Sequence, residues 1–189
     1  MVIVDPKYVA RTERLLLRPL RLEDAEDVVL MHRDPEVMAH TPLLPSDDLQ
    51  KTKEWIQGCH DRDNNWSFAV ELLPTSSPRS ESSPRVIGLV GAVRAPEIGY
   101  MFNQSCWGKG YCTEALRAFM PMFFAHYSGG EHEHYDYAEA FTDTELVSSH
   151  NVLTKAGFTL RERREKDFEN PVLGLRDTLV FRLESNSAP

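Results

Sequence analysis

Between Glu97 and Leu116 the chain reads EIGYMFNQSCWGKGYCTEAL, the stretch whose residue types and spacing bear most directly on chemistry. An apolar strand runs into a turn holding Gly108 and Gly110, and a helix opens directly behind it. Such a turn presents several backbone N–H groups on one concave side. The helix N-terminus adds unpaired donors and a partial positive charge. Together these suit a bound anion, a pyrophosphate in particular. Glycine matters because a Cβ at either position would hold the backbone away from the phosphates. By itself, GKG at a strand–helix junction is equally the start of an ordinary helix after a tight turn. It is not a Walker A loop, since Asn103 stands where the first glycine belongs and Gly110 follows Lys109 where Ser or Thr is required. The dinucleotide fingerprint fails as well, because its last glycine is replaced by Thr113.

A second segment, TDTELVSSHNVLTKAGF from Thr142 to Phe158, comes after the next strand. It reads as an amphipathic helix with Leu146, Val152 and Leu153 inward and Gly157 as its C-terminal stop. With EIGYMF and WGKGYCTEAL ahead of it, and RTERLLLRPLRLEDAED near the start, the chain resembles the GNAT acetyltransferase superfamily. Within it, the ribosomal-protein-acetylating RimJ/RimL-like branch is the most similar, and the resemblance runs from about Arg11 to Leu183.

That resemblance implies a mixed α/β GNAT fold, with a mostly antiparallel central sheet of about seven strands and about four helices. It implies an N-acetyltransferase that moves an acetyl group from acetyl-CoA to an amine, either a protein N-terminus or a small molecule. Carried over residue by residue, it places pyrophosphate contacts on the backbone of Cys106, Trp107, Gly108, Lys109, Gly110 and Tyr111. The strand of Ile98, Gly99, Tyr100, Met101 and Phe102 would bond the pantetheine amides, and the Ser149 hydroxyl would approach the thioester sulfur. Three positions depart from the pattern. Ser105 stands where the loop begins with Gln or Arg, Leu146 replaces an Asn, and Leu153 falls where many relatives carry a tyrosine acid.

Acyl transfer needs an unprotonated amine, a polarised carbonyl and a proton for the departing thiolate. Glu97, at the start of the strand beside the thioester, is a candidate base. It could equally attract a cationic amine, or be a solvated strand-end acid. Glu139 is a second, more remote candidate. Ser149 is the candidate proton donor for the thiolate, with Tyr111 as an alternative. Cys106 and Cys112 flank the turn without a paired base, so transfer is expected to be direct, in a ternary complex. His126, His132, His134 and His150 lack fitting cysteine partners, and no metal is expected. Two other readings fit the same motifs: an acetyltransferase that detoxifies an antimicrobial amine, and a catalytically weak CoA-binding module.

The elements that must hold these residues are set by patterning. A strand at Arg14 to Leu20 leads to a helix with Leu22, Ala25, Val28, Val29 and Met31 at helical spacing. Pro35, Pro42 and Pro45 break the next stretch, and Ser46, Asp47 and Asp48 offer a cap for a second helix through about Arg62. Strands are expected at Trp66 to Leu73, Arg85 to Arg94 and Glu97 to Phe102. A helix from Lys109 to about His126 should be kinked or ended by Pro121. A strand at Tyr135 to Phe141, a helix at Glu145 to Ala156, and strands at Phe158 to Arg164 and Leu173 to Leu183 complete the order. The Ser/Pro-rich stretch 74–84 reads as a flexible hairpin connection, and the last residues, 185–189, as a frayed tail.

The 189 residues suit a single domain, and 41% hydrophobic with 10% aromatic content excludes a disordered or fibrous chain. A formal net charge of −8 argues against a nucleic-acid partner and is compatible with a cationic substrate. Three cysteines cannot all pair, and without a secretory leader the expected location is the cytoplasm, as a monomer or homodimer. No apolar run approaches the ~20 residues of a membrane span.

Overall fold

The computed structural model describes residues 8–74, 84–128 and 133–185. A short β1 (Ala10–Arg11) pairs with β2 (Leu15–Pro19), and a 3₁₀ turn at Leu22–Asp24 leads into α1 (Ala25–His32), α2 (Pro35–Met38) and α3 (Leu49–His60). Then come β3 (Trp66–Leu72), β4 (Val86–Arg94) and β5 (Glu97–Phe102), before α4 (Tyr111–His126) and β6 (Tyr137–Asp143). The chain continues with α5 (Val147–Lys155), β7 (Thr159–Asn170) and β8 (Gly174–Glu184). The sheet order is β1-β2-β3-β4-β5-β6-β8-β7, and only the β5–β6 contact is parallel.

This is the expected mixed α/β architecture around a mostly antiparallel sheet, with eight strands and five helices among the described residues in place of about seven and about four. The additions are short. β1 is two residues long, and Pro35 begins α2 where the sequence suggested only a break. Proline suits a first helical position, whose N–H has no intrahelical acceptor, and the Asp34 side chain caps it by accepting from the Glu36 N–H at 3.0 Å. Asp48 caps α3 in the same way, taking the N–H groups of Gln50 and Lys51.

Pro121 does not end α4, which runs on to His126. Phe119, Met120 and Phe123 are fully buried on either side of it, so tertiary packing holds the turn that the missing N–H weakens. β6 begins two residues later than expected. β7 reaches Asn170 because its charged residues Arg161 to Glu169 face solvent while the backbone pairs with β8. Of the expected Ser/Pro connection, residues 75–83 lie outside the described residues, as do 129–132 and 186–189.

Both faces of the sheet are covered. On one, Leu17, Phe68, Val90, Ile98 and Phe102 pack against Leu116, Phe119 and Phe123 of α4 and Leu153 of α5. On the other, Ala69 and Leu89 meet Val28 and Met31 of α1 and Ile56 of α3. A strand covered on both sides must be apolar throughout, which is why β4 reads VIGLVGAVR without alternation.

One ionic cluster joins β2, β3 and the entry to α1. Asp24 is 1% exposed and takes two bonds from Arg18, at 2.7 and 2.6 Å, and one from the Arg21 backbone N–H at 2.9 Å. Arg18 also bonds Glu71 at 2.6 Å, and Arg85 reaches Asp24 at 2.9 Å. Burial alone would raise the Asp24 pKa, but these bonds overcome it and hold the carboxyl below its ordinary value. Removing one partner of such a set strands the rest in a desolvated site. Asp24→Asn should therefore lower the free energy of denaturant unfolding by about 3 kcal/mol. A loss below about 1 kcal/mol would show that the cluster is not a structural tie.

Candidate active site

β5 and β6 touch at a single rung. Glu97 stands opposite Glu139, with the Glu139 N–H donating to Pro96 O at 3.0 Å, and beyond this point the strands share no ladder pair. Each is fully engaged on its other side, β5 with β4 and β6 with β8. The Asn103 N–H donates to Ile87 O, so by two-residue alternation Gly99 and Met101 turn their peptide groups to β4. Ile98, Tyr100 and Phe102 turn theirs toward β6; the Ile98 N–H completes the rung with Glu139, and Tyr100 and Phe102 face the gap. A register shift between Ala92 and Arg94 places a bulge opposite the start of β5, and bulges increase local twist. The result is a wedge lined by unpaired backbone groups, open toward the C-terminal ends of both strands.

The glycine turn closes the β5 end of this wedge. Gly108 and Gly110 have φ of 72° and 80°, a conformation in which L side chains are strained. A Cβ on Gly108 would meet nothing within 4 Å, so the space before it is open. Carbonyls of the turn are taken by the protein itself. Lys109 Nζ donates to Ser105 O at 2.8 Å, Arg14 to Lys109 O at 3.0 Å, and the Glu114 N–H to Gly110 O at 3.1 Å. Arg14 also pairs with Glu114 at 2.6 Å and lies over the Tyr111 ring. By contrast, the N–H groups of Gly108, Lys109, Gly110 and Tyr111 have no acceptor among the described residues. The turn is thus a donor surface at the start of a 16-residue helix.

Two expected contacts are narrowed. The N–H groups of Cys106 and Trp107 already donate to Asn103 O and Gln104 O, so these residues shape the turn and the free donors begin at Gly108. Trp107 instead sends its indole N–H to Phe102 O at 2.8 Å, which occupies that carbonyl.

Side chains of β5 alternate about the wedge. Tyr100 points to the α4/α5 face, and its hydroxyl lies 2.7 Å from Ser149 Oγ on α5, which is 9% exposed. Burial pushes the Tyr100 phenol well above its ordinary pKa, and does the same to the Cys112 thiol. Glu97 points to the opposite face, where Arg94 holds one carboxylate oxygen at 2.9 Å and Oε1 has no partner among the described residues. Glu139 is tied to Arg182 at 2.6 Å. Leu153 is fully buried in the core. Tyr111 is also buried, beneath Arg14, which leaves its ring a packing role. Among the described residues no cluster of His, Cys, Asp or Glu could hold a metal, and His132 lies outside them.

The loop after α2 flanks the Glu97 face through contacts that the sequence did not reveal. Asn170 is buried, and its side-chain amide donates to Ala39 O at 2.9 Å and Thr41 O at 3.2 Å. Its oxygen accepts from the N–H groups of Val172 and Leu173. His40, held between, lies 3.1 Å from Asp143 at the end of β6, and Arg176 binds both Asp143 oxygens at 2.8 and 3.0 Å. Apart from the turn at Asn170, the partners lie 33 to 131 positions apart in sequence, so no local signal announces them. Tyr100 was more accessible, since alternation places its side chain with those of Ile98 and Phe102.

Comparisons with known proteins agree with this fold. The family profile described as acetyltransferase (GNAT) domain matches residues 14–159. A protein of Bacillus licheniformis named uncharacterized N-acetyltransferase p20 is 27% identical over 183 residues, covering 91% of this chain and 93% of its own. Two solved structures share the fold. Spermidine N-acetyltransferase from Vibrio cholerae, in complex with CoA and spermine, has a TM-score of 0.75 at 14% identity, covering 94% of this chain and 99% of its own. The Salmonella typhimurium acetyl transferase that modifies the N-terminal serine of ribosomal protein L7/L12 has a TM-score of 0.74 at 14% identity, covering 93% and 98%.

Asp143 makes the anchoring of this loop pH-dependent. Burial alone would raise its pKa, but bonds from Arg176, the Glu145 N–H and His40 bring it down to about 2. A depressed carboxylate contributes its stability above the unfolded value of about 4 and loses it as pH falls through the folded one. Asp143→Asn should cost on the order of 2 kcal/mol in denaturant unfolding at pH 7. The gap between variant and wild type should shrink between pH 4 and pH 2; a gap independent of pH would contradict this assignment.

Proposed function

The chain belongs to the GNAT acetyltransferase family, and on that premise we propose that it acetylates an amine with acetyl-CoA seated along the β5–β6 wedge. The observation that carries this reading is the single-rung pairing of β5 with β6, ending on a turn whose N–H groups are free. Both features fit one ligand: a pyrophosphate against Gly108 to Tyr111, then an extended arm whose amides meet Ile98, Tyr100 and Phe102. The open space before Gly108 leaves room for phosphate oxygens to approach.

The acceptor enters from the Glu97 face, bordered by the loop that Asn170 and Asp143 hold. It is an amine of a protein N-terminus or of a small molecule, which are the acceptor kinds named for the two structural neighbours. An N-terminal amine is roughly a tenth neutral near pH 7, whereas a lysine amine is neutral about once in ~2,500 molecules. A modest base therefore suffices for the first kind, as in the RimJ/RimL-like branch. The free Oε1 of Glu97 accepts the amine proton, and Arg94 orients the carboxylate. A free N–H of β5 polarises the carbonyl, and the Ser149 hydroxyl donates to the departing thiolate. Neither Cys106 nor Cys112 is paired with a base among the described residues, so transfer is direct. Three free cysteines, Cys59, Cys106 and Cys112, suit a reducing cytoplasm.

Two experiments test the reading. Gly110→Asp puts a side chain and a negative charge on a residue with φ of 80° at the donor surface. In calorimetry it should abolish acetyl-CoA binding while the protein stays folded; wild-type affinity would remove the pyrophosphate from this turn. Kinetics on a panel of peptides and small amines, read by thiol release, tests the chemistry. Ser149→Ala should lower kcat by ~10²-fold with acetyl-CoA affinity nearly unchanged, and Glu97→Gln should lower kcat/KM most at low pH. Initial-rate lines over both substrates should intersect. A Ser149→Ala enzyme within about twofold of wild type, with chemistry rate-limiting, would take Ser149 out of the mechanism.

A further inference from the structure

Among the described residues, the side chains of β5 and α5 are bridged by the hydroxyl pair of Tyr100 and Ser149. A serine hydroxyl has one hydrogen to give. If that hydrogen is spent inside the protein, Ser149 has nothing for the sulfur. The local geometry offers a way to keep it free. Tyr100 Oη lies 2.7 Å from Ser149 Oγ, and 3.4 Å from the Ser149 carbonyl oxygen. Tyr100 has no other hydrogen-bond partner among the described residues, so its O–H has Ser149 as its sole acceptor. When Tyr100 donates to Oγ, the Ser149 hydrogen is released toward the wedge.

We propose that Tyr100 is a positioning residue for thiolate departure: its hydroxyl donates to Ser149 Oγ, which holds that side chain in one rotamer and turns the Ser149 O–H onto the sulfur. This rests on acetyl-CoA lying in the wedge with its sulfur at Ser149. As the new C–N bond forms and the C–S bond breaks, the electron pair passes to sulfur. The thiolate leaves carrying that pair: Ser149 O–H hydrogen-bonds it without giving up the proton, and Tyr100 O–H hydrogen-bonds Ser149 Oγ in turn. The amine proton passes to Glu97, and solvent protonates the released thiolate. Aligned donors of this kind polarise one another, so each strengthens the next.

The surroundings keep the pair in its donor state. Burial raises the phenol pKa, so Tyr100 remains an O–H donor near neutral pH. From α4, Cys112 is the titratable neighbour, and burial keeps it uncharged. From α5, His150 is turned away, its Nε2 bonded to Asp143 O at 2.9 Å and its ring against Phe181. Glu97 and Glu139 lie on the other face of the sheet, each with an arginine partner. The arrangement also accounts for Leu153, the position where relatives carry a tyrosine. It is fully buried in the core, and the phenol comes instead from the strand across the wedge.

The bound sulfhydryl of CoA reports this interaction without any need to know the acceptor. Its pKa is read from the ultraviolet thiolate band of the CoA complex, less that of the protein alone, for wild type, Tyr100→Phe, Ser149→Ala and the double variant. Wild type should hold the bound thiol below its value in free CoA. Ser149→Ala should raise it by about one unit, and Tyr100→Phe by roughly half a unit. In the Ser149→Ala background, Tyr100→Phe should add nothing, because its effect runs through the serine. With a working acceptor, Tyr100→Phe should lower kcat about 5- to 10-fold at unchanged KM for acetyl-CoA. A thiol pKa in Tyr100→Phe equal to that of wild type would overturn the proposal, as would an equal shift in both backgrounds. Absence of CoA binding by the wild type would overturn the wedge as the cofactor site, and the hydroxyl pair with it.

Discussion

A parallel strand pair in the middle of a sheet normally exchanges a hydrogen bond at every second residue. Here β5 and β6 exchange them only at Glu97 and Glu139. Buried peptide groups without partners are costly, at roughly 1–3 kcal/mol each. The sheet tolerates the open side because β4 and β8 hold the outer sides of the two strands, and because α4 and α5 cover one face. An extended ligand carrying amides can supply the missing partners, which is why the proposed cofactor site is an unfinished ladder.

The rest of the site depends on that opening. The β5 side runs into the glycine turn, whose carbonyls are consumed by Lys109, Arg14 and the Glu114 N–H while its own N–H groups stay free. Tyr100 and Ser149 meet across the opening on the helical face, and Glu97 stands at its apex on the other. In the proposed mechanism, thiolate and amine chemistry fall on the two faces of the sheet. The acceptor side is bordered by a loop tied down by His40, Asp143 and Asn170, so its shape is set by tertiary bonds rather than by local sequence.

Much of this is legible in the chain. The bounds of β5 can be read there, and so can the turn, the cap at Asp48 and the stop at Gly157, because each rests on local chemistry: alternation, glycine conformation, side-chain capping. Reading fails where tertiary structure decides. Pro121 by itself predicts an interruption of α4, but packing of Phe119, Met120 and Phe123 carries the helix through it. The motif predicts that Cys106 and Trp107 face phosphate, yet a 3₁₀ turn at Gln104–Cys106 uses their amides. His40, Asp143, Asn170 and Arg176 do not stand out in the sequence at all. Their roles arise from pairings across more than thirty residues, which neither periodicity nor a motif encodes.

Amide hydrogen exchange, resolved to single residues with and without acetyl-CoA, bears on the central claim most directly. Bound acetyl-CoA should slow exchange at Tyr100 and Phe102 in the wedge and at Gly108 to Tyr111 in the turn. Gly99 and Met101, which already bond β4, should change little. Saturating acetyl-CoA that leaves Tyr100, Phe102 and the turn unprotected, or protects only residues elsewhere, would contradict an unfinished ladder as the binding site.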